Sequence, residues 1–93
     1  MTDKIFFAVV IPPEGEVTTV DLPIDDQGRF RFLQQVVGGC VQKIPLPGVR
    51  YMVMNENAKL APHMFNQTAT AFALEAGSII AGTVAIIPQK AMQ

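Results

Sequence analysis

The chain has 93 residues, 49% of them hydrophobic and 16% charged, with a net charge of −1 and a single cysteine. That length holds one domain, 1–93, with no linker to a second. The charge gives no general attraction to nucleic acid, and one Cys excludes an internal disulfide framework. An average domain carries about 25% charged residues, so this chain has more apolar side chain than a small lone domain hides, and a homo-oligomer is expected.

The opening Met1-Thr2-Asp3-Lys4 lacks the basic and apolar regions of a signal peptide, and no apolar run approaches the ~18 residues of a membrane span. The expectation is a soluble cytoplasmic protein that does not engage a membrane. Ile5 to Ile11 is an almost unbroken β-branched and aromatic run stopped by Pro12-Pro13, which reads as a buried strand. Glu14-Gly15 turns the chain, and Glu16 to Leu22 alternates Val17, Thr19 and Asp21 with Thr18, Val20 and Leu22, as a strand pairing in a hairpin does. Pro23 ends it.

Asp25 or Asp26 is placed to cap a helix reaching Val37, with Phe30, Leu33 and Val37 on one face, and Gly38 or Gly39 to close it with a left-handed residue. Cys40 reads as a small buried hydrophobe beside that glycine pair. Cys40–Leu46 and Val49–Met54, separated by Pro47-Gly48, read as a second hairpin. In it Val49, Tyr51 and Val53 share a face opposite Arg50, Met52 and Met54, and Pro45 marks an edge or a bulge. Asn55-Glu56-Asn57 is a turn by composition. Asn66 to Glu75 reads as a second helix, capped by Asn66 or Thr68, with Ala69, Phe72, Ala73 and Ala76 as its apolar face and Gly77 as its end. Ile79 to Ile87 is the last strand, interrupted at Gly82, and Pro88 stops it before a frayed tail over 88–93. The expected fold is α+β: a mostly antiparallel sheet of about five strands with two helices in the order ββαββαβ, its core spanning 5–87.

Charge is uneven along the chain. Residues 1–26 sum to −5 and residues 27–59 to +4. These halves either pair across the fold as ordinary surface ion pairs or leave a basic face for an anionic partner. Arg29, Arg31 and Arg50 beside Phe30, Phe32 and Tyr51 are the residue types that stack and neutralise single-stranded nucleic acid. Core packing explains the aromatics more simply, so nucleic-acid binding is the alternative reading only.

The order of motifs resembles a known family. Leu33-Gln34-Gln35-Val36-Val37-Gly38-Gly39 leading into Val41, Asn55-Glu56 with Lys59-Leu60, then Pro62, Asn66, Ala69 and Thr70, and Ile80-Ala81-Gly82-Thr83-Val84 are similar to the small bacterial, phage and plasmid domain known as domain of unknown function 3846. The similarity covers residues 5 to 87. It departs at Cys40, where the family commonly has an aromatic, and at Asn57-Ala58, where it has Glu-Gly. It implies a phage or mobile-element accessory protein in a host cytoplasm, and no catalytic residue.

The densest polar cluster is Asn55, Glu56, Lys59, His63 and Asn66, which with Arg50 offers amide, carboxylate and cationic groups to a small polar ligand. Set against that, Asn55 and Asn57 shape a turn and Asn66 caps a helix. One Glu and one His do not make an enzyme, and one His with one Cys do not make a zinc site, so no catalytic residue, metal or cofactor is expected. The glycines close a helix where a phosphate loop would open one. The sequence therefore points to a non-enzymatic interaction or ligand-binding module, acting on a host protein or sequestering a small molecule.

Overall fold

A computed structural model describes residues 5–58, 64–73 and 79–92. Two hairpins flank a central last strand: β1 (Phe7–Ile11), β2 (Thr18–Asp21), β3 (Val41–Leu46), β4 (Arg50–Asn55) and β5 (Val84–Pro88) form one antiparallel sheet in the order β2-β1-β5-β4-β3. Helix α1 (Asp26–Val37) joins β2 to β3, and helix α2 (Gln67–Phe72) lies between β4 and β5. The architecture is the expected ββαββαβ. Among the described residues no helix is long and apolar enough to cross a membrane.

The register explains why β4 and β5 carry apolar residues at every position from Met52 to Met54 and from Val84 to Ile87. Met52 pairs with Ile86 and Val53 with Ala85, so each strand feeds two cores, one on either side of the sheet. On one side Leu33 and Val37 of α1 pack with Ala8, Val53, Ala85 and Ile87. On the other, Ala69 and Ala73 pack with Ile11, Met52, Met54, Ile80, Val84 and Ile86, and small residues on that helix let it lie close to the sheet. Each fully buried large aliphatic side chain stabilises by about 1.5–3 kcal/mol.

Helix α1 begins where Asp25 accepts from Gly28 N at 2.8 Å and ends at Gly38, whose φ of +80° is left-handed and whose N–H donates to Gln34 O. The two glycines do different work. A Cβ on Gly38 would meet nothing, so its backbone angle alone selects glycine, whereas a Cβ on Gly39 would sit 2.9 Å from Asn55 Nδ2.

Several expectations change: Phe72, expected on the apolar face of α2, is 47% exposed, and the first strand is buried at Ala8 and Ile11 but not at Phe7, which is 55% exposed. Phe30 does not join the buried face of α1: it is 45% exposed, and Arg29 takes the place, because the spacing 29, 33, 37 follows one helix face. Val49 leaves the β4 face for a turn residue with φ +59°. Cys40 is exposed, since it precedes an edge strand with only its carbonyl engaged, by Glu56 N at 2.8 Å. The last strand is shorter than Ile79–Ile87, because Ala81 forms only an isolated bridge with Phe65 and Gly82, at φ +79°, turns the chain before Val84. The end of the chain is not a frayed tail over the described residues: Gln89–Met92 forms a 3-10 turn on α1, with Gln89 N donating to Val49 O at 3.0 Å and Ala91 buried. Residues 74–76 of the expected second helix and its stop at Gly77 lie outside the described residues.

The charge halves do not pair across the described fold. The ion pair found among the described residues is local, Arg29 with Asp26 at 3.1 Å one helical turn apart.

Candidate functional site

The polar turn after β4 is built around Asn55. The side chain is buried, its Oδ1 accepts from Asn57 N at 2.8 Å, and its Nδ2 donates to Val37 O at 3.1 Å. The first bond makes an Asx turn and the second satisfies a carbonyl left open at the end of α1. Ala58 N closes the turn on Asn55 O at 3.1 Å, and Glu56 N ties it to Cys40 O, just ahead of β3, at 2.8 Å.

Asn66 is also turned inward. Its Oδ1 caps α2 through Ala69 N at 2.9 Å, and its Nδ2 donates to Ile11 O at 2.9 Å and Gly82 O at 2.8 Å. Both amide protons and one oxygen lone pair are occupied, and the residue is 0% exposed. Thr70 completes the joint, accepting from Ile80 N at 2.9 Å and donating to Asn66 O at 2.8 Å. Asn66 thus fastens β1, α2 and the approach to β5 together.

Of the six candidate residues, the structure brings Asn55 and Glu56 to one place. They line a cleft of about 100 Å³ with Gln42, Ile44, Met54, Ala58 and the segment Ile79–Ala81. Arg50 stands at the other end of β4, about 17 Å along the strand, and its Nε donates to Pro47 O at 3.0 Å. Asn66 does not line the cleft. Lys59 and His63 lie outside the described residues. Among the described residues no cluster of His, Cys, Asp and Glu is arranged to hold a metal ion.

Among the described residues from 64 to 79, four large apolar side chains are exposed, and one of them stands in the cleft wall. Ile79 is 65% exposed and lines it, while Met64, Phe65 and Phe72 are each about half exposed. A short ladder explains the placement of Phe65. Asn66 N donates to Ile80 O and Gly82 N to Met64 O, which turns Asn66 and Ile80 inward and leaves Phe65, paired with Ala81, outward.

Sequence reasoning missed most of the cleft. Gln42 and Ile44 alternate on one face of the edge strand, a pattern present in the sequence, but their approach to Ile79 is long-range and has no local signal. The aromatic and arginine set does not assemble into a stacking platform. Phe32 and Tyr51 pack in the α1-side core, Lys43 Nζ lies 4.6 Å from the centre of the Tyr51 ring, and Arg29 lies 4.9 Å from that of Phe6.

Compared with protein-family models, with curated proteins and with solved structures, the chain finds no match in any of the three, so the family resemblance rests on its quoted residues alone.

Proposed function

We propose that the chain is a small non-enzymatic interaction module of the host cytoplasm, which binds another protein, a second copy of itself included, through the apolar rim of the Glu56 cleft. The observation that carries this reading is the exposure of Ile79 in the cleft wall and of Met64 and Phe65 on the short ladder that reaches the cleft-lining Ala81, each 52–65%. Single exposed apolar residues are ordinary, but a cleft-wall Ile79 with Phe65 paired to the cleft-lining Ala81 groups large ones together, and such groups are the usual core of a contact surface. Gln42 and Glu56 supply the polar edge that such a surface needs for orientation. The accessory role in a phage or mobile element follows from the family resemblance, and a host protein is the corresponding partner.

The test is differential capture. Full-length protein and its Phe65→Asp/Ile79→Asp variant, both immobilised, are exposed to host lysate and to soluble chain. The reading predicts that partners held by the native protein are lost from the variant while its circular dichroism is unchanged. Identical binding by both proteins would overturn it.

A further inference from the structure

The two edges of the sheet differ. At β3 the bond from Glu56 N to Cys40 O sets the register in which Gln42, Ile44 and Leu46 bond to β4, so the backbone groups of Val41, Lys43 and Pro45 point outward. Pro45 has no N–H to offer there, which blunts that edge against a further strand. At β2 the bond from Leu22 N to Phe6 O sets the register in which Val20 and Thr18 bond to β1, so Thr19 and Asp21 point their N–H and C=O groups away from the sheet. Strand β2 carries neither proline nor lysine, and its Thr18, Thr19 and Asp21 are exposed. Charge distinguishes this edge as well. The hairpin of β1 and β2 bears Glu14, Glu16 and Asp21, all exposed, and residues 5–28 contain no lysine or arginine. Phe7, paired with Asp21 and therefore on the same face, is 55% exposed.

We propose that the outer edge of β2 takes up an extended segment of another protein, rich in lysine or arginine, as a further strand of the sheet. Three observations select that partner. The outward N–H and C=O groups of Thr19 and Asp21 recur at the two-residue spacing of a strand, which an extended backbone matches and a helix does not. The exposed acids at both ends of the edge favour cationic side chains, and Phe7 behind Asp21 offers its ring to the stem of a lysine or arginine. A second copy fits poorly, because antiparallel pairing about Thr19 would bring Glu16 of each chain beside Asp21 of the other. The edge lies across the sheet from β3 and the Glu56 cleft, and its pairing does not depend on the proposed function.

The test is a titration of the full chain, followed by proton–nitrogen NMR, with the end-blocked peptide Lys-Val-Thr-Val-Lys, its form N-methylated at threonine, and its form with glutamate in place of lysine. The first should give saturable shifts and slowed amide exchange at Thr19 and Asp21 with millimolar or tighter affinity, weakened by added salt. The other two should not. N-methylation keeps every charge and removes a backbone donor, so it separates strand pairing from simple attraction. Thr19→Pro, which deletes an outward N–H, should abolish the shifts. Since a proline also restrains the strand itself, the deciding variant is Asp21→Lys at an exposed position. It should weaken binding at least about tenfold, or about 1.4 kcal/mol, with the rest of the spectrum unchanged. Linear shifts, an equal response to the N-methylated or the acidic peptide, saturable shifts at β3 instead, or indifference to Asp21→Lys would each overturn the assignment. Shifts at Thr19 and Asp21 on concentrating the chain alone would give the edge to a second copy and overturn it too.

Discussion

Replacing Asn66 by Ala removes three hydrogen bonds made by a fully buried side chain. Loss of a helix cap costs about 1 kcal/mol. Leaving the Ile11 and Gly82 carbonyls without their donor adds about 1–3 kcal/mol each, with Gly82 at the low end because its bond is only partly buried. The expected loss is about 3–5 kcal/mol, a large share of the roughly 5–14 kcal/mol available to a domain of this size. Asn66→Asp separates the contributions. It keeps the cap acceptor but turns the donor into an oxygen facing two carbonyl oxygens, which raises the folded pKa of the introduced carboxyl above its unfolded value of about 3.9. Below that value the carboxyl is protonated in both states and the penalty is smallest; it grows as pH rises toward the folded pKa and then levels off. Urea unfolding followed by circular dichroism, with the native protein measured at each pH as reference, reads both effects. A loss under about 1 kcal/mol for Asn66→Ala, or an Asn66→Asp penalty that shrinks with rising pH, would refute the joint described for this residue.

Val49 is a β-branched residue at φ +59°, where side chains other than Gly, Asn and Asp are strained. Val49→Asn should therefore raise stability by about 0.5–1 kcal/mol, seen as a higher urea midpoint with unchanged slope. Gly38→Ala should cost about 1 kcal/mol through backbone angle alone. Gly39→Ala should instead act through Asn55, so a double-mutant cycle with Asn55→Ala should show coupling of at least about 0.5 kcal/mol for Gly39 and close to none for Gly38. Cys40, being exposed, should react with a thiol dye in native protein at a rate near that of the urea-unfolded chain; a rate at least about a hundredfold slower would mean that it is shielded.

Much of the fold was legible because its signals are local. The caps, narrowed by sequence to Asp25 or Asp26 and to Asn66 or Thr68, the left-handed residue, narrowed to Gly38 or Gly39, and the Pro47-Gly48 turn are each set by a few neighbouring residues. The structure selects Asp25, Asn66 and Gly38. The strand order was not, since pairing β5 between β1 and β4 depends on contacts remote in sequence. Arg29 shows where hydrophobicity misleads: its spacing with Leu33 and Val37 marked it as inward, and only its charge argued for the surface. Asn55 and Asn66 were legible as turn and cap residues, while their additional bonds to Val37, Ile11 and Gly82 cross long stretches of chain. The cleft was legible at one end only, through Asn55-Glu56, because its apolar wall arrives from Ile79–Ala81.

The most direct test of the proposed contact surface is sedimentation equilibrium of the native chain beside its Phe65→Asp/Ile79→Asp variant over micromolar concentrations. The account predicts reversible association of the native protein and a monomeric, equally folded variant. A native protein that stays monomeric, or a variant that associates as strongly, would contradict the assignment of this rim as the surface on which copies meet.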